Sequence, residues 1–498
     1  MSQSTAAGGP GLARQMGLLS LAATGICSMM GAAINVVPFM IQRNVPGIGP
    51  HVLPAFLFGA LPALLAAFAY AILASAMPRA GGSYIYASRS LHPYLGFVAS
   101  FSQWFGLSIA IGVVSYVIVP FLRDIADALG WAGLTEALGQ EPVRLAVALA
   151  FLWIFVGVNI RGLRIYEKTL LPLMFLMFAF GSVVIFVGFT ASPEAFGESL
   201  MARDGVAVPE SPSSPWDWSL FLAAAAILFS SFIGFDSIAQ AGGEAKNPSR
   251  NLPLAIGIAF VSVGTFYFLF TAAVYRVVPW AYIAQEAQVR DLTAPGLLGY
   301  LLPTGWTVLI VAGAAIALIN DLPAMLLAVS RLMFAWAEDG IFPRFAAKIH
   351  PVWQTPIPAI IASGAMATTS IIGCSVAGDF FLGVDLLVTS MLVNFLIMCL
   401  SVLWLPRKNP SLAQDVAVVK SRPLQVLLAG GGTVLLAAFL VIHVAKDLSA
   451  DLEAWYFHST PVWLLVMALA STVYAFKMRE LKNSGTDVDE LFSRLPEE

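Results

Sequence analysis

Of the 498 residues, 59% are hydrophobic and only 11% are charged, whereas a soluble domain carries about 25% charged residues. Mean hydropathy is +0.83, and long windows such as residues 254–274 contain no charge at all. These figures exclude a soluble enzyme, a nucleic-acid binder and a disordered scaffold, and they define an all-α polytopic membrane protein.

Residues 2–11 are polar and glycine-rich, and the first apolar run begins at Met16. That run is longer than a signal-peptide core and lacks a convincing cleavage site, so it reads as a retained span. About 20 apolar residues are needed to cross the hydrocarbon core. On that measure twelve spans follow, at 16–41, 52–76, 95–120, 143–160, 169–190, 217–240, 253–275, 305–336, 357–377, 380–404, 423–443 and 460–477. The positive-inside rule orients them. With the N-terminus inside, 18 Lys and Arg fall in inner segments and 7 in outer loops, and Arg331 sits near the inner end of span 8. Both termini are therefore expected in the cytoplasm, with the chain in a cell membrane (plasma or inner) and the lipid bilayer as its surroundings. The acidic, proline-containing stretch 191–216 fits a solvated outer loop.

Two spans carry small and polar residues at mid-depth. Span 1 contains Ser28-Met29-Met30-Gly31, and span 6 contains Ser231-Phe232-Ile233-Gly234. Unwound backbone inside a bilayer is tolerated only where it is buried or lines a cavity. A matching pair of Gly-interrupted spans in two halves points to a transporter's midplane site, although close helix packing through small residues would leave the same pattern.

Four motifs in order resemble the amino acid–polyamine–organocation transporter family. They are Met30-Gly31-Ala32-Ala33-Ile34-Asn35-Val36-Val37-Pro38 in span 1 and Pro78-Arg79-Ala80-Gly81-Gly82-Ser83-Tyr84-Ile85-Tyr86 after span 2. Next come Gly234-Phe235-Asp236 with Glu244-Ala245-Lys246-Asn247-Pro248, and then Ser330-Arg331-Leu332 through Glu338-Asp339-Gly340 after span 8. The resemblance implies a LeuT-like five-plus-five inverted repeat with discontinuous spans 1 and 6, working by alternating access. The implied layout is an N-terminal tail 1–15, a core 16–404 (repeats about 16–190 and 217–404), two peripheral helices in 405–477, and a tail 478–498.

The resemblance also implies a substrate site. An amino acid's carboxylate would sit on Gly31, Ala32 and Ala33, and its amino group on carbonyls of Met29, Ser230 and Ile233. A helix start suits an anion and helix-ending carbonyls suit an ammonium. The sequence departs from the family pattern in three places. Gly-Ser-Gly becomes Gly31-Ala32-Ala33, the gating aromatic becomes Ser230, and the span 5 lysine of proton-coupled members is absent, with Met177 near its position. Phe229, Phe232 or Phe235 would then have to close the site, and a polyamine is the within-family rival substrate.

Two acids fall near mid-membrane, where ionisation costs about 3 kcal/mol even on the mildest scale. Asp236 reads as a substrate-sensing acid or as a cap on the second half of span 6. Asp321, in span 8, reads as the coupling-ion residue for H⁺ or Na⁺, or as part of an Asp–Pro kink stabilised by Asn320. Asn35 is expected to pack against a neighbouring helix, and Asp385 to face a loop. Glu244, Lys246, Arg250, Arg331, Glu338 and Asp339 form either an inner gate or a solvated anchor. No metal spacing, phosphate loop or membrane-embedded histidine is present, so no enzyme activity, metal or cofactor is expected. A secondary active transporter for amino acids, H⁺-coupled or exchanging, is the favoured function. A substrate sensor on the same fold is the rival, disfavoured by the short C-terminal tail.

Overall fold

The computed structural model describes residues 12–377, 380–451 and 454–496, and it leaves aside the side chains of Ala32, Ala33, Thr304 and Ala377. Among the described residues, twelve segments are long and apolar enough to cross a membrane, from Leu18–Asn44 to Ser459–Asn483. Each of the twelve spans expected from hydropathy has its counterpart. Span 5 begins at Leu163, ahead of its apolar part, because a helix can continue into the aqueous interface where Arg164 and Lys168 are exposed.

Span 1 is two helices, Leu18–Met29 and Ala32–Asn44, parted at Met30 and Gly31. Span 6 is a helix Trp218–Leu228, a 3-10 turn Phe229–Phe232 and a short helix Ser237–Gln240. The break in span 6 depends on Gly234, whose φ of +131° lies where an L side chain is strained. A Cβ there would also strike the backbone of Ser28 and Met29. The two breaks therefore touch, and glycine is what lets them.

Around these breaks pack spans 3, 8 and 10, the long helices Pro93–Ala128, Thr304–Glu338 and Phe381–Lys408. Glycine again permits close contact, since Gly106 of span 3 abuts Ser390 of span 10 and Gly112 abuts Ser370 of the span 9 helix Ile357–Ala377. Between spans 2 and 3 the glycine-rich motif forms a buried helix, Gly82–Ser90. Part of the 191–216 stretch, expected to be a solvated outer loop, is helical. Ser192 caps a helix Pro193–Asp204 whose Phe196 is buried against Tyr282 and Tyr300.

Candidate functional site

The breaks hold one another through named groups. Ser28 and Ser237 share a hydroxyl hydrogen bond of 2.8 Å, and the Tyr267 hydroxyl donates to the Met29 carbonyl. Asp236 is fully buried and closes the span 6 turn, accepting the Gly234 N–H at 3.0 Å and a hydrogen bond from the Gln103 amide. From there a polar chain runs through Gln240, Ser83 and Tyr70 to Asn394, at 2.9, 2.6 and 2.7 Å. Its members come from spans 2, 3, 6 and 10 and the helix between spans 2 and 3, so the turn is tied to most of the core. A buried carboxylate needs such partners.

Beside the breaks lies a cavity of about 230 Å³. Its floor is Ser28, Met29, Gly31, Ser230, Ile233 and Asp321, and its walls include Val36, Val113, Val117 and Met325. It reaches Asn44, Phe381, Asp385 and Lys446, which lie at the end of span 1, the start of span 10 and the end of span 11. That end of the molecule is opposite the two chain termini. Lys446 Nζ donates to the carbonyl of Asn44 at 3.3 Å, the last residue of its half-helix, where a cation is favoured.

Of the residues expected at the site, Met29, Gly31, Ser230, Ile233 and Asp321 share this cavity. The side chains of Ala32 and Ala33 lie outside the described residues, but the second half-helix of span 1 does begin at Ala32. Asp236 is not on the cavity wall; it serves the turn. Phe232 and Phe235 are not on it either. The turn that aims Ser230 and Ile233 at the cavity sends these rings into the scaffold, Phe232 against Phe56 at 4.9 Å and Phe235 against Phe395 at 5.1 Å. Asp385 is on the wall, contrary to its expected loop-facing position, because the helix starts at Phe381 and residue 385 is already one turn inside. Asn320 donates to Cys27 Sγ at 2.9 Å and to the Leu170 carbonyl, so it bonds neighbouring spans rather than an Asp–Pro kink. Sequence reasoning missed Gln103, Tyr267 and Lys446. A lone glutamine in an apolar span was the available signal for the first.

The end carrying the termini is shut. Arg331 donates to both oxygens of Glu244 at 3.0 and 2.6 Å, with each side chain 1% exposed. Arg89 clamps Asp339 at 2.6 and 3.0 Å, and the Tyr84 hydroxyl adds a bond of 2.7 Å to the same carboxylate. Burial works against the Arg89 charge, but the Asp339 carboxylate outweighs it and raises the guanidinium pKa. Burial, then the Asp339 charge, push the Tyr84 hydroxyl well above its ordinary value, so it stays a donor. Isolated backbone bridges join Met16 to Ala245 and Ala80 to Ala241. Lys246 and Arg250 are exposed and take no part in these ion pairs.

A helical bundle with two broken spans meeting beside a solute-sized cavity has the build of a membrane permease rather than an enzyme. The chain belongs to the amino acid permease family, which it matches over residues 16–469. It is 27% identical over 368 residues to the human cationic amino acid transporter 4, covering 71% of this chain but 54% of that protein. It thus spans little more than half the length of that relative. It is 25% identical over 486 residues to the methylthioribose transporter of Bacillus subtilis (strain 168), covering 94% of both. It is likewise 25% identical over 352 residues to the low-affinity putrescine importer PlaP of Escherichia coli (strain K12), covering 69% of this chain and 70% of that one.

Proposed function

We propose that the protein is a secondary active transporter that moves an amino-bearing organic solute, an amino acid or a polyamine, by alternating access. Lysine and arginine counts put both termini in the cytoplasm of a cell holding the protein in its plasma or inner membrane. The cavity then opens outward while buried ion pairs close the cytoplasmic end, so the described state is outward-facing. The observation that carries this reading is the meeting of both broken spans at the floor of a cavity accessible from one end. Five-plus-five inverted repeats over 16–190 and 217–404, followed by two peripheral helices, place the two breaks at corresponding positions.

A proton gradient is the proposed drive, with exchange as the alternative. Asp321 is the carboxylate on the cavity floor suited to take up and release the proton. Vesicles reconstituted with the full chain, given labelled amino acids and polyamines under a proton gradient or in counterflow, test the function. Accumulation of at least one solute is expected; no uptake of any solute in either mode overturns it. Asp321→Asn tests the coupling: gradient-driven accumulation should be lost, and unchanged accumulation would make the acid structural.

A further inference from the structure

We infer that Asp321 is the specificity-determining residue of the cavity and takes the ligand's charged amine at the helix start where a carboxylate would otherwise bind. This rests on the transporter reading above. Asp321 is 2% exposed and lies on the cavity floor. Its carboxylate is pressed against Gly31 so closely that a Cβ on that glycine would overlap it. The second half-helix of span 1 starts at the next residue, Ala32, so a carboxyl group already stands at the positive end of that helix.

Two consequences follow from ordinary electrostatics. A ligand carboxylate brought to the same helix start would join a second carboxylate in a low-dielectric pocket, where like charges repel strongly. An ammonium brought there would meet an opposite charge. The Oδ1 atom of Asp321 is buried without a hydrogen-bond partner among the described residues, and a buried acceptor of this kind calls for a donor. Three other polar groups of the floor are already engaged. Ser28 is bonded to Ser237, the Met29 carbonyl accepts Tyr267, and the Ser230 carbonyl accepts the Ile233 N–H at 3.2 Å. A ligand ammonium in the cavity can supply that donor. Above Asp321 the walls are Val36, Val113 and Met325, which suit a methylene chain. The ligand class is a primary aliphatic amine with no carboxylate on the carbon that bears the nitrogen.

The test uses the purified full chain in lipid nanodiscs and ligand pairs that differ by one carboxylate: putrescine and ornithine, cadaverine and lysine, isoamylamine and leucine. In each pair the amine is expected to bind about tenfold tighter or more. Asp321→Asn should weaken amine binding by about thirtyfold or more, since a buried charge pair loses one partner, and Asp321→Glu should recover part of it. Thermal unfolding of each variant reports whether it has folded. If Asp321→Asn does not fold, the paired comparison in the unmodified protein decides alone. Tighter binding of the amino acids overturns this inference and leaves the transporter reading standing. So does amine affinity within about twofold in a folded Asp321→Asn protein. Binding and uptake of no solute from either set removes the transporter reading and this inference with it.

Discussion

The two ends of the molecule are built differently. At the end carrying the termini, four charged side chains are buried in two bidentate ion pairs, and isolated backbone bridges tie Met16, ahead of span 1, and Ala80, after span 2, to the segment after span 6. The chain's last described residues are docked on the same spot: Arg79 donates to the Pro496 carbonyl at 2.9 Å, Arg89 to that of Arg494 at 3.2 Å, and the Phe492 ring lies under the Arg89 guanidinium at 5.0 Å. At the opposite end, Lys446 and Asp385 stand at the mouth of a mostly apolar cavity. A buried ion pair is weak evidence for stability, but losing one partner is costly. Closure is therefore concentrated at one end, and the proposed alternating access requires those pairs to come apart.

That contrast can be broken first at Arg331. Arg331→Met leaves Glu244 buried and unpaired, which should cost about 3–5 kcal/mol. A lower thermal midpoint is expected, together with labelling of a cysteine placed at Ala241, a residue buried in the closed protein. Combining it with Glu244→Leu should restore most of the stability, since an apolar pair of similar size replaces the ions.

The hinge comes next. Gly234→Ala places a side chain at a positive φ and against the Ser28 backbone, with a cost of about 1–3 kcal/mol from strain alone and more from the overlap. Gly257→Ala, in an open helical position, should leave the midpoint unchanged or slightly raise it. Equal midpoints for the two variants would show that the breaks do not depend on their close approach.

Gln103→Leu should cost about 1–3 kcal/mol, because an Asp236 oxygen loses its donor. The smallest effect is expected at the tail. Removing residues 484–498 takes away the bonds to Arg79, Arg89 and Asn409 without touching either ion pair, so a loss of about 1–2 kcal/mol is expected. It should show as faster labelling at Ala241→Cys; unchanged labelling would mean that the tail does not help hold the closed end.

How much of this was legible follows from what each signal reports. Hydropathy reports contact with lipid, and it located all twelve spans. Small and polar residues at mid-depth located both breaks, since Ser28 to Gly31 and Ser231 to Gly234 violate the otherwise apolar pattern. Glu244 and Arg331 were named for the inner gate because charges flank the right spans. Side-chain direction past a break was not legible: one residue at positive φ turns Ile233 towards the cavity and Phe235 away from it. The docked tail was hidden as well, because its anchors are backbone carbonyls, which carry no residue-type signature. Lys446 read as an outer-loop charge, although it belongs to the helix Arg422–Ser449 and reaches the cavity mouth.

The most direct test is cysteine accessibility in oriented vesicles holding the full chain without its three native cysteines. A cysteine at Val36 on the cavity wall and one at Ala80 beside the buried ion pairs are treated from outside with a membrane-impermeant reagent. Labelling of Val36→Cys but not of Ala80→Cys is expected, with a bound solute protecting Val36→Cys. No labelling of Val36→Cys from outside, or labelling that no solute slows, would contradict an outward-open cavity at the meeting of spans 1 and 6.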